Sequence, residues 1–171
     1  MRPVPVVGLV AACTLAVWAG CATLQELGVL QPPRFATVQE RPAELRLLAP
    51  STARPLGGAA IRLWARVENP NPVGLTLAEI AGNLLVEGTQ AAEVAFPLGL
   101  PLLAGRDTVI PLEVALDFSR LPALANVVRR AVAGEALDYR LDGTVAVDAG
   151  AFGRPRFGPM TLLAGELAVF R

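Results

Sequence analysis

The chain has 171 residues and a mass of 17.9 kDa, and its 15 arginines balance 15 acidic residues, with neither lysine nor histidine present. That length suits one domain, and the balanced charge supplies no net field toward nucleic acid or an anionic surface, which disfavours nucleic-acid binding. Without histidine or lysine there is no imidazole base, no histidine-ligated zinc, no Schiff base and no phosphate-loop lysine, so no catalytic residue, metal or cofactor is expected.

From Pro3 to Gln25 no residue is charged, while Arg2 precedes the stretch and Glu26 follows it. Pro3, Pro5 and Gly8 weaken its start and leave Leu9 to Trp18 as the strongly apolar part, a length that suits an export signal better than a membrane span. The segment Trp18-Ala19-Gly20-Cys21 resembles the bacterial lipoprotein lipobox, with Trp18 standing where leucine is usual. Val10-Ala11-Ala12-Cys13 fits that consensus better locally but follows a shorter and more interrupted apolar run. An uncleaved anchor, with Cys13 and Cys21 as small apolar residues, is the alternative to both. The lipobox resemblance implies a signal peptide over residues 1–20 and lipid on Cys21; residues 21–43, with Pro32, Pro33 and Pro42 and no sustained periodicity, read as the lipidated cysteine and a tether. The resemblance also implies an envelope location on the outer membrane facing the periplasm, because Ala22 and not aspartate follows the cysteine. No disulfide can form beyond Cys21.

The rest of the chain alternates with a period of two. A short strand is expected near Glu44 to Leu48. Ile61, Leu63, Ala65 and Val67 then alternate with Arg62, Trp64, Arg66 and Glu68, and Asn69-Pro70-Asn71-Pro72 ends that strand because each proline removes an N–H donor. Leu75, Leu77, Ile80, Gly82, Leu84 and Val86 follow with a change of parity after Leu77, which predicts a bulge. Glu87-Gly88-Thr89 is a turn, Ala92 to Phe96 the return strand, and Pro97 to Gly105 a connection. Thr108 to Leu116 forms a strand that lies at an edge or turns its Pro111 to an unpaired side. The period then lengthens: Ser119 caps a helix over about 119–133 with Leu121, Leu124, Ala125, Val128 and Val132 as its apolar stripe and Gly134 as its stop. Leu137 to Asp148 is the longest alternation. A loop over 150–159 and a last strand near Thr161 to Phe170 complete about seven strands and one helix, a mainly β fold with sandwich arithmetic.

The segment Val67-Glu68-Asn69-Pro70-Asn71-Pro72, followed by Leu75, Leu77 and the turn at Gly88, resembles the start of a WHy (water stress and hypersensitive response) domain, also called late-embryogenesis-abundant type 2. The likeness continues through the late helix and Tyr139-Arg140-Leu141-Asp142-Gly143, covering residues 44–170 of the 44–171 domain. It implies an immunoglobulin- or fibronectin-III-like β-sandwich, no catalytic centre, and a role in desiccation and stress tolerance.

Three groups of residues are candidates for more than folding. Asn69 and Asn71, with Pro70 and Pro72, serve either as turn formers or as a partner-binding surface. Trp64, flanked by Arg62 and Arg66, either anchors a partner or is covered by the helix or a neighbouring loop. Asp138, Asp142 and Asp148 share one strand face, but positions i and i+4 of a strand lie about 13 Å apart, too far for a shared metal shell or paired acids, so a solvated face is expected. Phe152, Arg154, Arg156 and Phe157 either touch lipid headgroups or form a mobile loop. The functional expectation is a non-enzymatic lipoprotein, held to a membrane by its lipid, that protects envelope proteins or lipids through surface contact. The alternative is a lipid- or ligand-binding accessory module of an envelope assembly, suggested by the leucines between Leu98 and Leu103.

Overall fold

Every alternating segment becomes a strand with one buried side. The computed structural model describes residues 30–53, 55–118 and 125–170. In chain order the elements are β1 (Arg34–Thr37), β2 (Ala43–Leu48), β3 (Gly58–Glu68), β4 (Leu75–Val86), β5 (Thr89–Leu102), β6 (Asp107–Asp117), the helix α1 (Ala125–Ala133), β7 (Leu137–Asp148), a 3-10 turn (Gly150–Phe152) and β8 (Arg156–Phe170). Ala59, Ile61, Leu63, Ala65 and Val67 of β3 are buried, and so are Leu137, Tyr139, Leu141, Val145 and Val147 of β7. The residues between them are exposed or half-buried, as the pleat requires when one face meets the core.

All eight strands belong to one hydrogen-bonded path in the order β1-β3-β2-β8-β7-β4-β5, with β6 on the other side of β3. The pairings are antiparallel except that of β2 with β8, where Ala43 to Arg46 run parallel to Leu167 to Phe170. That short parallel pair joins the β6-β3 half to the β8-β7-β4-β5 half, so the expected mainly β architecture with one helix is realised as a continuous open sheet of eight strands. Among the described residues the helix is nine residues long and buries only Val127 and Ala131, too little to cover such a sheet. The apolar faces of the strands therefore cover one another, with Ile61, Leu63, Leu77, Ile80, Leu84, Leu112, Leu141 and Leu167 fully enclosed.

The parity change in β4 is a bulge: its register with both β5 and β7 shifts between Leu77 and Glu79, which returns Ile80 to the core. The turn at Glu87-Gly88 links Val86 to Thr89, which are register partners. Both turn residues have positive φ, 51° and 73°, the two-residue hairpin geometry whose twist matches that of the strands. Among the described residues Pro111 lies on a strand that pairs with β3 alone, an edge position in which proline is tolerated.

Four expectations are corrected. Residues 97–102 belong to β5 and not to a connection, because an edge strand tolerates Pro97 and Pro101. β8 begins at Arg156, inside the expected loop; its register with β7 shifts between Gly143 and Val145, and that irregularity takes up Gly158 and Pro159. Within the stretch read as tether, Arg34–Thr37 is a strand against β3, too short at four residues for a period of two to show. The helix turns a different row inward: Val127 and Ala131 are buried and Val132 is exposed. Valines at both 127 and 128 allow either row, and contacts made by Arg130 select one. Ser119, Leu121 and Leu124 lie outside the described residues. Gly134, with φ 79°, ends the helix as expected, since its N–H donates to Ala131 O and that of Glu135 to Arg130 O.

Gly82 and Gly143 face each other across β4 and β7. A Cβ on Gly82 would lie 2.1 Å from Asp142 O, and one on Gly143 2.3 Å from Ala81 O, so at this point the two strands approach closer than any side chain permits. Gly82→Ala and Gly143→Ala are each expected to destabilise the protein by about 1–3 kcal/mol through forced backbone shifts. Urea unfolding checks this; a midpoint unchanged in both variants contradicts it.

Candidate functional site

The strand β3 stops at Asn69 because Pro70 and Pro72 offer no N–H, and the polar groups freed there are taken up locally. The Asn69 side chain is fully buried and that of Asn71 nearly so. Asn69 Nδ2 donates to the carbonyls of Val73 (2.8 Å), Leu102 (3.2 Å) and Leu103 (3.4 Å). Its Oδ1 accepts from the backbone N–H and from Nδ2 of Asn71, both at 3.0 Å. The Asn69 N–H donates to Arg106 O and the Gly105 N–H to Asn71 O. The loop 69–74, which carries the chain from β3 to β4, is thereby tied to the loop 103–106 between β5 and β6. These amides serve backbone, as the turn-forming reading requires.

Arg62, Trp64 and Arg66 occupy the outer face of β3, as their parity predicts. Arg62 meets Glu113 of β6 at 2.7 Å and Arg66 lies 3.5 Å from Asp107 and 3.9 Å from Glu40. Trp64 is half-buried and opposite Pro111; the Arg41 guanidinium stands 4.6 Å above its ring centroid, within the range of a cation–π contact. A loop residue covers this tryptophan. A cleft of about 440 Å³ is lined by Glu44, Arg46, Arg62 and Glu113 among others.

The three aspartates of β7 stay apart. Asp142 binds Arg140 and the Thr161 hydroxyl, which donates at 2.7 Å, while Asp148 accepts from the Gly150 N–H and from Arg154. Both carboxyls are held below the usual carboxylate range, Asp142 chiefly by the Thr161 hydroxyl and Asp148 chiefly by the Gly150 N–H. Among the described residues no group of three or more acidic, cysteine or histidine side chains could share a metal ion.

A further cluster lies where no sequence signal pointed. Glu87, in its left-handed turn conformation, accepts from the Asp138 N–H at 2.8 Å and returns a bond from its own N–H to Asp138 O. Its carboxylate also meets Arg130 of α1 at 2.5 Å, and Arg130 in turn binds Glu135 and the carbonyl of Ala136. One arginine thus fastens the helix to the β4–β5 hairpin and to the start of β7. The Asp138 N–H, and after it Arg130, hold the Glu87 carboxyl below its ordinary value. Arginine in the last helical turn was visible in the sequence; its distant partner was not.

Residues 65–161, more than half of the chain, match the family described as late embryogenesis abundant protein. Two solved structures share the fold. The solution structure of a protein from Arabidopsis thaliana is 19% identical, with 80% of this chain and 82% of that one covered and a TM-score of 0.56. The solution structure of a candidate late embryogenesis abundant (LEA) protein is 18% identical, with 85% and 75% covered and a TM-score of 0.53. No curated protein sequence matches.

Asn69→Ala leaves the bonded carbonyls and the Asn71 amide without their partner, at about 1–3 kcal/mol for each buried group stranded. The urea midpoint is expected to fall further than for Asn83→Ala, an exposed asparagine; equal midpoints contradict the latch. Glu87 sets a pH dependence. A carboxyl with a lowered folded pKa stabilises above its ordinary value of 4.5, and that contribution is lost as pH falls through the folded value. Glu87→Gln should therefore lower Tm at pH 7, and the gap to the unsubstituted chain should shrink below pH 4.5. A gap constant down to pH 3 counts against this clamp.

Proposed function

Because the chain belongs to the late embryogenesis abundant family, a water-stress related and generally non-enzymatic group, we propose that it works as a lipid-anchored envelope protein. In this reading its folded surface protects neighbouring components when water is withdrawn. The family match over residues 65–161 is the observation that carries this reading. The chemistry of the surface supports it. The outer faces of the strands present guanidinium and carboxylate groups side by side, as in Arg62 with Glu113, Arg34 with Glu68 and Arg156 with Glu79. Such exposed pairs add little to stability but supply donors and acceptors of both signs over a rigid apolar core. They can replace water at the surface of a neighbouring protein or headgroup without opening the fold. The anchor is Cys21, which lies within the uncharged stretch Pro3 to Gln25, after its strongly apolar part, and carries lipid on the outer membrane's periplasmic side. The face bearing Arg62, Trp64 and Arg66 is the candidate contact surface for envelope partners.

Two experiments separate the parts of this proposal. Labelled palmitate fed to cells should enter the chain and be absent from the Cys21→Ala variant; label that persists moves the modification elsewhere. The purified chain, dried and rehydrated with a client enzyme, should preserve more activity than albumin at equal mass. Protection no better than albumin's removes the stress role and leaves the anchor untouched.

A further inference from the structure

Four ion pairs join strands that their ladders hold least. Among the described residues β6 pairs with β3 alone, and two arginines of β3 reach its carboxylates. Arg62 meets Glu113 straight across the register at 2.7 Å, and Arg66 meets Asp107 on the diagonal at 3.5 Å. β1 has only four residues, and its Arg34 lies 3.6 Å from Glu68, its register partner on β3. The start of β8 runs with an irregular register against β7. Arg156 there reaches across β7 to Glu79 of β4 at 3.2 Å, and the residue between them in that row is Ala146, whose small side chain can be bridged. By contrast, among the described residues no ion pair joins β4 to β7, whose ladder runs from Thr76 to Val86.

In water these four pairs do little. Every side chain in them is at least 34% exposed, so solvent screens the attraction, and two long side chains give up freedom to meet. Withdrawal of water reverses the balance. The attraction between two charges varies inversely with the dielectric constant, which falls from that of water toward that of dry protein. Water is also the partner that each charge gives up on pairing, and once it has gone only the opposite charge is left. The hydrophobic term runs the other way, because it is the expulsion of apolar surface from water and fades as water is removed. Backbone hydrogen bonds strengthen in a low dielectric, so a strand paired on both sides holds itself, whereas β1 and β6 each have one ladder. The bridging base is arginine in every case, and the chain has 15 arginines and no lysine. A low dielectric favours the neutral forms of a lysine and a carboxylate and so dissolves their pair; a guanidinium keeps its charge and the bridge stays ionic.

We propose that the bridges of Arg34, Arg62, Arg66 and Arg156 are a drying lock: near-idle in solution, they tighten as water leaves and hold β1, β6 and the start of β8 to the sheet while hydrophobic attraction fades. The proposal rests on the reading that this protein works as water is withdrawn. It concerns how the fold survives that state, not which molecules it protects.

The test follows backbone hydrogen–deuterium exchange in the full chain in detergent, once in solution and once freeze-dried under heavy-water vapour, with uptake read peptide by peptide by mass spectrometry. The unsubstituted chain is compared with Arg62→Gln plus Arg66→Gln, with Glu113→Gln plus Asp107→Asn, and with all four together. In solution each variant should exchange like the unsubstituted chain. In the dried state each should take up more deuterium over β6, Asp107–Asp117, while β7 stays protected, and the fourfold variant should lose no more than either double one, because each charge acts only through its partner. Equal protection of β6 in the dried variants and the dried unsubstituted chain overturns the lock. So does loosening of β6 that is as large in solution as in the solid, or losses that add in the fourfold variant. Loss of protection throughout the dried unsubstituted chain overturns the underlying reading as well, and the lock with it.

Discussion

A single buried amide holds the point where the chain crosses from one half of the sheet to the other. Asn69 has no charge to desolvate, and its side chain offers two donors and one carbonyl to a place where two prolines have removed backbone donors. A leucine there would strand the carbonyls of Val73, Leu102 and Leu103; an aspartate would turn donors into a buried charge facing them. Asparagine satisfies the loop without either cost. The same bonds set the separation of the β3–β4 and β5–β6 connections, so the loop end of the domain is rigid where an unlatched Pro-Gly-rich loop would be loose.

The rest of the fold follows from a shortage of cover. With one short helix among the described residues, the sheet must bury its own apolar face. The bulge at Ala78, the Gly82–Gly143 contact and the irregular register of β8 are the places where it departs from a flat ribbon to do so. The helix is not a structural lid. It contributes Val127 and Ala131 to the core, and its position is set by the polar reach of Arg130 to Glu87 and Ala136 O. Hydrophobic burial dictates the sheet, whereas a few directional bonds dictate what is attached to it.

That division explains what the sequence disclosed. A period of two is written in every residue of a half-buried strand, so β3, β4, β6 and β7 were legible, as was the bulge, which shows as a break in parity. The turn chemistry of Asn69 to Pro72 and of Glu87-Gly88 was legible because proline and glycine act locally. The ends of β5 and β8 were not, since Pro97, Pro101 and Pro159 signal loop in isolation and only an edge or a register irregularity makes them acceptable. The partners of Asn69, Glu87 and Arg130 were hidden for the reason that they are remote in sequence: nothing local in Arg130 names Glu87. For Trp64 the parity gave the face, but its cover, Arg41, comes from a loop without any pattern.

An open sheet leaves β5 and β6 with unpaired sides, and the residues placed there bear on a protein proposed to act as water is lost. Drying raises the concentration of every chain, and an exposed strand edge is then a template for pairing with its neighbours. β5 carries Pro97 and Pro101 on either side of Gly99, whose φ is 58°, so its outer side presents neither a full row of donors nor a straight backbone. β6 carries Pro111 at its centre and Asp107, Glu113 and Asp117 along its length. Each device weakens the edge as a partner for another copy while leaving its inner ladder to β4 or β3 intact. The prolines that hid the end of β5 are therefore among the features that let an edge survive crowding, and a surface meant to touch other molecules in the dry state must first avoid joining its own kind.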